Sequence, residues 1–210
     1  MPVITISRMF GSGGSLIAQR VAGTLGWTLL DNAFVERVAT RLPATAEVVQ
    51  AIEEQAPSLA ERIANALAYG TQEMLSAPMH TPLPPSEERV LDVTRQVIDE
   101  AVARGPVVLV GRGAHMRLAS YDEAFHVLCT APRDALVARV MQREQLPADQ
   151  AGHRVDEENK RRAQFVKRYW GRSWLDASHY HLSVNTAWLG LDGTAALIVR
   201  LVTEHASAGA

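Results

Sequence analysis

The feature that most constrains this chain is a strand, a glycine turn and a helix in immediate succession near its start. Residues 4–20 read ITISRMFGSGGSLIAQR. The β-branched run at residues 3–6 is typical of a short buried strand, and the glycines that follow it indicate a turn. Apolar residues then recur at four-residue spacing. This pattern predicts a helix that begins near Gly14 and ends at Gly26.

The turn matches the phosphate-binding template G-x-x-x-x-G-K-[ST] only in part. It has Gly13 and Ser15 where the template requires them, but Arg8 replaces the first glycine and Gly14 replaces the lysine. Backbone N–H groups and a helix N-terminus can still bind an anion, while one fixed positive charge is missing. The alternative is a turn that only packs a helix against a sheet.

The rest of the chain alternates between strand-like and helix-like segments. Continuous apolar strands separated by helices indicate a parallel sheet that is covered on both faces. Four further strands are predicted, at residues 27–31, 106–110, 124–131 and 178–186. A closing helix is predicted at residues 193–206. A helix is also predicted to start at residues 86–88, after a proline-rich loop.

Composition restricts the classes of protein that fit. The chain has 210 residues, 47% of them hydrophobic, which is enough for one domain with a core. A formal net charge of −2 argues against a nucleic-acid duplex or an anionic membrane as partner. The single cysteine, Cys129, excludes an intramolecular disulfide, and its apolar surroundings predict a buried, inert thiol. The N-terminus lacks the pattern of a secretory signal, so we expect a cytoplasmic protein.

Several segments, taken in order, resemble the cytidylate kinase-like proteins, which are relatives of the nucleoside monophosphate kinases. Beyond the opening segment, these are VVLVGRGAHMRL, FHVLCTAPRDALVARVMQRE, ENKRRAQFVKRYW and YHLSVNTAWLGLD. In that family GSGG commonly stands where cytidylate kinases have GSGK. The resemblance covers most of the chain outside residues 40–88.

The resemblance implies a P-loop NTPase fold of three layers, with a five-stranded parallel sheet and helices on both faces. The core would comprise about residues 1–31, 105–142 and 173–210. A helical acceptor-binding insertion would span about residues 32–104, and an arginine-rich lid about residues 143–172. The implied function is transfer of the terminal phosphate of ATP, with Mg²⁺, to a nucleoside monophosphate or a related small phosphorylated acceptor.

Site residues follow by the same resemblance. The donor phosphates would be held by Gly11, Ser12, Gly13, Gly14 and Ser15, with Ser15 also a ligand of Mg²⁺. The acceptor would be held by Asp31, Asn32, Arg37 and Arg112. Gly113 departs from the family, because cytidylate kinases have an aspartate at this position that helps read the nucleotide.

Arginines are concentrated between residues 133 and 172, and such a segment can stabilise the charge on a phosphoryl group in flight. Four arginines are the candidates for catalysis: Arg8, Arg139, Arg162 and Arg168. Arg8 or an arginine of the lid would replace the missing lysine. The alternative for each of them is a solvated helical face that pairs with neighbouring carboxylates.

Other functions stay open or are disfavoured. A nucleotide sensor without catalysis would use the same pocket, and Gly14 and Gly113 favour it. An enzyme with a non-nucleotide acceptor is a third alternative, because residues 40–88 carry no motif. The histidines lack metal-binding spacing, and the tryptophans near residue 170 fit packing better than base stacking. A homodimer is an open alternative to a monomer.

Overall fold

The computed structural model describes residues 2–31 and 87–208. In chain order the described elements are β1 (Val3–Arg8), α1 (Gly14–Leu25), β2 (Thr28–Leu30), α2 (Glu87–Arg104), β3 (Val107–Val110), α3 (Ala114–Arg117), β4 (Ala124–Thr130), α4 (Arg133–Glu144), α5 (Ala148–Trp170), β5 (Leu182–Asn185) and α6 (Thr186–Ala208).

The five strands form one parallel sheet in the order β2-β3-β1-β4-β5. Strand β1 is central, with Ile6 opposite Val110 of β3 and Arg8 opposite Cys129 of β4. Its two partners in the sheet, β3 and β4, follow each other along the chain and lie on opposite sides of β1, so the strand order reverses at the carboxyl end of β1. In open α/β sheets a crevice for ligands forms at this point.

Helices cover both faces of the sheet, as the sequence predicts. On one face α2 packs Val90, Val93 and Val97 against Val3 and Leu109 of the sheet. On the other face α1 and α6 pack together against alternate residues of the same strands, including Ile4, Ile6, Val108 and Val127. The two separate cores require strands that are apolar on both faces, which is why these strands read as continuous apolar runs.

Helices α4 and α5 form an antiparallel pair beside the loop that follows β1. They are joined by residues 145–147, and Gln145 has a φ of 56° at this tight connection. A small core that includes Leu136, Val140 and Val155 holds the pair together, and Met9 and Phe10 of the loop pack against it. The predicted lid thus corresponds to the end of α4 and the whole of α5.

Two boundaries differ from the sequence predictions. Strand β5 begins at Leu182 rather than at residue 178, because residues 177–179 form a single 3₁₀ turn that the Asp176 carboxylate caps through the amide of Ser178. Helix α6 begins at Thr186 rather than at residue 193, with a kink at Gly190, whose φ is 76°. Both are local polar or glycine effects that an apolar pattern does not record.

The predicted helical insertion at residues 32–104 is described only in part. Its last helix, α2, packs on the sheet and belongs to the core. The remainder of the insertion, with the predicted acceptor residues Asn32 and Arg37, lies outside the described residues.

Helix α6 is apolar enough, by length and composition alone, to pass as a membrane span, with a mean hydropathy of 1.2 over Thr186–His205. Such evidence is weak for one helix. Ala195, Ile198 and Val202 pack in the core with α1 and the sheet, so α6 is part of the globular fold.

Candidate phosphate-binding site

The glycine loop after β1 is held tightly against its surroundings. Gly11 and Gly13 have φ values of 84° and 80°, a region that side chains disfavour. A Cβ atom on Gly11 would lie 2.7 Å from the carbonyl oxygen of Leu136, and one on Gly13 would lie 2.5 Å from a methyl carbon of Leu191. Both positions therefore require glycine for the backbone conformation and for space.

The carbonyl side of the loop is bound by Arg139 of α4. Its guanidinium donates to the carbonyl oxygens of Ser12 at 3.1 Å and Gly11 at 3.5 Å, and to the hydroxyl and carbonyl of Thr186, both at 2.8 Å. The Thr186 hydroxyl also donates to the carbonyl of Ser12, at 2.8 Å. With the loop's carbonyls held from this side, Arg139 acts on the shape of the loop.

The start of α1 provides donors for an anion. The first N–H groups of a helix have no intrahelical acceptor, and they lie at the positive end of the helix dipole. Gly13 caps α1 in a left-handed conformation without a side-chain hydrogen bond. Ser12 Oγ is fully buried, and within residues 2–31 and 87–208 it has no hydrogen-bond partner. Unsatisfied donors and a buried hydroxyl in one loop fit a polyphosphate.

The fit to Mg²⁺ rests on Ser15, which is half-buried in the first turn of α1. No group of three or more acidic, histidine or cysteine side chains gathers elsewhere in the described part of the chain to hold a metal. Mg²⁺ commonly takes one or two protein ligands and completes its shell with phosphate oxygens and water. A single serine beside a phosphate loop is compatible with that mode of binding.

A cavity of about 60 Å³ lies beside the loop, at the carboxyl ends of β1 and β3. This volume holds a few water molecules, or one phosphate group, rather than a whole nucleotide. Three arginines and one glutamate line it, Arg8, Arg112, Arg162 and Glu158, together with Ser7, His115 and the apolar Phe165, Val166 and Trp174. Three arginines against one glutamate give this lining an excess of positive charge, which suits an anion.

The loop after β3 presents Arg112 in an unusual conformation. Gly111, Arg112 and Gly113 all have positive φ values, of 72°, 55° and 67°. Only glycine adopts this region without cost, so the conformation of Arg112 is strained by about 1–2 kcal/mol. The surrounding fold holds this strain at a residue that lines the anion cavity.

The absence of an aspartate at residue 113 has a steric cause. Gly113 has a φ of 67°, and a Cβ atom there would overlap the ring of Trp170 at the end of α5. The tryptophan occupies the space that a longer side chain would need. Trp170 itself packs with Phe165 and with Trp174, so the tryptophan cluster serves packing.

Helix α5 is tied to the loop through Phe10 and Arg162. The amide of Phe10 donates to Asn159 Oδ1 at 2.8 Å, and the guanidinium of Arg162 donates to the carbonyl of Arg8 at 2.7 Å. The guanidinium groups of Arg143, Arg154 and Arg162 lie 4.8 Å, 5.6 Å and 5.6 Å from the centre of the Phe10 ring. These distances are typical of cation–π contacts.

A buried polar chain supports the floor of the cavity. The Tyr180 hydroxyl donates to the carbonyl of Trp174 at 2.8 Å and lies 3.0 Å from His115 Nε2, while His115 Nδ1 lies 3.1 Å from Ser7 Oγ. Burial lowers the pKa of His115 from 6.5 to about 3 and raises the pKa of Tyr180 to about 12. The neutral imidazole donates from Nε2 to Tyr180 and accepts at Nδ1 from Ser7.

The sequence predictions did not include this chain of hydrogen bonds. The signal for it is the polar residues Thr5 and Ser7 inside the apolar strand β1, since a buried hydroxyl requires a partner. Thr5 has a similar partner, because its hydroxyl lies 2.7 Å from Nδ1 of the buried His126. The predicted buried and inert thiol is confirmed: Cys129 is buried and free, and burial raises its pKa to about 12.

The structure brings some of the predicted site residues together and separates others. Arg8, Arg112 and Arg162 meet at the cavity, and Asp31 lies at its edge, 3.8 Å from Arg8. Arg139 lies behind the loop. Arg168 is exposed on α5 and stacks on the Tyr169 ring at 5.6 Å.

The sheet order and the glycine loop before α1 define an α/β fold of the P-loop kinase class. The chain belongs to the cytidylate kinase-like family, whose model matches residues 3–187. It is 30% identical over 118 residues to the cytidylate kinase of Haloarcula marismortui. That match spans 56% of this chain and 61% of the relative's length.

Solved structures with the same fold include an uncharacterized protein from Eubacterium ventriosum. Its TM-score is 0.70 at 18% identity, over 97% of this chain and 99% of that one. The shikimate kinase of Acinetobacter baumannii, solved with shikimate, has a TM-score of 0.52 at 13% identity, over 98% and 94% of the two chains. At these identities the likeness concerns the fold alone.

Proposed function

We propose that this protein is a cytoplasmic phosphotransferase that moves the terminal phosphate of ATP to a nucleoside monophosphate or a related small phosphorylated acceptor. The observation that carries the proposal is a cavity lined by three arginines, Arg8, Arg112 and Arg162, next to a glycine loop at a helix N-terminus. One element binds a polyphosphate and the other binds a second anion, which is the arrangement that phosphoryl transfer needs.

The donor would be held by main-chain N–H groups of Gly11, Gly13 and Gly14 and by Ser15 in the first turn of α1. The N–H of Ser12 instead donates to the carbonyl of Met9, at 3.1 Å, within the loop. When bound, ATP supplies the phosphoryl group and Mg²⁺ neutralises part of its charge, with Ser15 as the protein's ligand. The contribution of the chain is a loop whose shape is set before binding, since Arg139 and Thr186 hold its carbonyl side. We therefore assign Arg139 a positioning role.

The acceptor's anionic group would be bound by Arg112, whose guanidinium can grip two oxygens at once. Asp31 would act by orienting Arg8, to which it is ion-paired. Asn32 and Arg37 are proposed to contact the rest of the acceptor, on the strength of the family resemblance. Because the cavity holds only a phosphate-sized group, the base or sugar would lie outside it.

Arg162 is the arginine of the lid that we propose to stabilise charge on the transferred group. It lines the cavity and lies beside Phe10 of the loop. Arg168 would reach the site only if α5 moved, because it is exposed in this arrangement. No nucleic acid, membrane or obligatory second copy is needed for this chemistry.

The second candidate function is a nucleotide sensor that binds without turnover. It is favoured by Gly14, since the loss of an electrostatic donor of this kind costs about 10²- to 10³-fold in rate. A non-nucleotide acceptor is a further variant of the same reaction. One experiment distinguishes the nucleotide kinase, the sensor and the kinase with a non-nucleotide acceptor. A panel of nucleoside monophosphates and small hydroxylated anions is tested for binding and for ADP release with MgATP.

For the leading proposal we expect ADP release that depends on one member of the panel and falls by about 10²-fold in Arg112→Ala. Arg117→Ala is the matched control, because Arg117 is exposed and pairs with Asp99 outside the cavity. Binding of the panel without turnover would establish the sensor instead. Full turnover in Arg112→Ala would contradict the assignment of the acceptor site.

A further inference from the structure

The phosphate-loop template and this sequence differ at two positions in opposite ways. Where the template has glycine, this chain has a cation at Arg8, and where the template has lysine, this chain has Gly14. The structure allows us to ask whether the two differences are independent, since the two residues lie at opposite ends of the same loop.

Gly14 is not required by its backbone. It is the first residue of α1, and its φ lies outside the left-handed region that Gly11 and Gly13 occupy. A Cβ atom built on Gly14, however, would lie 2.5 Å from Cβ and 2.9 Å from Cγ of Arg8. What Gly14 provides is space for the Arg8 side chain, and no residue with a Cβ leaves that space free.

A second glycine forms the other wall of the same slot. A Cβ atom on Gly111 would overlap the guanidinium of Arg8 at Nη1. The stem of Arg8 thus passes Gly14 and its head passes over Gly111, while Nη2 lies 3.8 Å from Asp31 Oδ1. The Arg8 side chain is only 20% exposed, so its path from loop to cavity is set by packing.

We propose that Arg8 and Gly14 are one coupled exchange, in which the phosphate-binding cation has moved from the start of α1 to the end of β1. The guanidinium of Arg8 then binds the anion at the boundary between the donor loop and the acceptor cavity. This inference rests on the proposed function and names the residue that supplies the lost charge. A planar guanidinium offers two parallel donors, so it can contact oxygens of both phosphates, whereas a lysine is a single point charge.

Two other candidate arginines donate to carbonyl oxygens of the loop and of the residue before it. Arg139 is bound to the carbonyl side of the loop. Arg162 donates to the carbonyl of Arg8, which supports the backbone that carries the proposed cation. Arg8 is therefore the arginine that both borders the loop and extends into the cavity.

The test is a cycle of four proteins: wild type, Arg8→Gly, Gly14→Lys and the double variant, which restores the template. MgATP affinity is measured by calorimetry, and turnover by ADP release. We expect each single variant to lose at least 10-fold in affinity and about 10²-fold or more in rate. The double variant should recover to within about 10-fold of wild type, because it regains a cation in a loop without the steric conflict.

A smaller change tests the steric coupling without a ligand. Gly14→Ala should lower the urea midpoint of unfolding in the wild type. In the Arg8→Gly background the same substitution should lower the midpoint less, because the side chain that it would clash with is gone. Gly23→Ala is the matched control in the same helix, since nothing lies within 4 Å of its added Cβ, and it should raise the midpoint.

Three results would overturn the inference. The first is that Gly14→Lys, with Arg8 in place, keeps the affinity and rate of the wild type. The second is that Arg8→Gly also keeps them, and the third is that the two substitutions have additive effects on unfolding. A different outcome is also possible: the unfolding cycle is coupled and the wild type binds ATP, but it shows no turnover. That outcome would reject the proposed phosphotransfer and would still support the exchange between Arg8 and Gly14. The two failures are therefore distinguishable.

Discussion

Arg112 has a backbone conformation that costs stability, and it lines the cavity of the proposed binding site. It lies between two glycines that adopt positive φ values, and it shares that conformation at a φ of 55°. A glycine in its place would relieve the strain, yet only an arginine places a guanidinium in the cavity. On the proposed function, this strain is kept because Arg112 binds the acceptor's anionic group.

We predict that the free energy of unfolding is about 1 kcal/mol higher for Arg112→Gly than for Arg112→Ala, because alanine keeps the Cβ that disfavours this φ. Both variants should lose binding of the acceptor equally, since both lack the guanidinium. Urea denaturation measures the first difference, and calorimetry with the acceptor found in the panel measures the second. Equal stability of the two variants would mean that the backbone relaxes out of the left-handed region.

At the scale of elements, α4 and α5 act on the loop in different ways. Helix α4 contacts the back of the loop through Arg139, which also bonds to Thr186 at the start of α6. Helix α5 approaches from the cavity side, where Asn159 binds the Phe10 amide and Arg162 binds the Arg8 carbonyl. The arginine-rich segment is thus partly a clamp on the loop and only partly a source of charge for the site.

Arg139→Ala should therefore lower the free energy of unfolding by about 2–3 kcal/mol, because the carbonyls that it binds lose a charged donor in a half-buried setting. It should also weaken ATP binding by loosening the loop. Arg200→Ala is the control, since Arg200 pairs with Glu204 on the exposed side of α6. Urea denaturation and calorimetry give the two readouts, and a loss of rate with unchanged stability would instead place Arg139 at the transferred phosphate.

For the whole molecule, two buried histidines link the sheet to its surroundings. His115 bonds to Ser7 and His126 to Thr5, so both imidazoles lie on one face of β1. Burial is the largest cause that lowers the pKa of His115 to about 3, and burial also lowers the pKa of His126 to about 4. The folded state keeps both rings neutral well below the pKa of an exposed histidine.

This gives a pH dependence with a definite sign. Below pH 6.5 the unfolded chain binds protons that the folded chain does not, so the free energy of unfolding falls as the pH falls. From pH 7.5 to pH 5 we expect a loss of about 4 kcal/mol from the two histidines together. Urea denaturation at the two pH values measures it.

The matched variants for this test are His115→Gln and His205→Gln. The first should reduce the pH dependence by about half, because one of the two buried imidazoles is gone. The second should leave the dependence unchanged, since His205 is exposed near the end of α6. An equal pH dependence in all three proteins would show that other groups cause it.

The fold class followed from local patterns, and the structure confirms it. Short segments between helix-like stretches, most of them apolar, predicted the five strands, and the spacing of Ile17 and Val21 predicted α1 with its end at Gly26. These predictions hold because burial on both faces of a parallel sheet leaves a continuous apolar signal in each strand. The ends of β5 and α6 were missed, since a capping carboxylate and a kink at Gly190 do not alter that signal.

By itself the sequence determined that the chain forms a covered parallel sheet with a glycine loop before a helix, because these depend on neighbours along the chain. Only the tertiary structure decided which arginines share a cavity and which hold the loop from behind. Gly14 is an example. In the sequence it stands where the template has lysine, and in the folded structure its lack of a side chain leaves space for Arg8. Contacts between residues that are distant in sequence are set by packing, and packing is decided only when the chain folds.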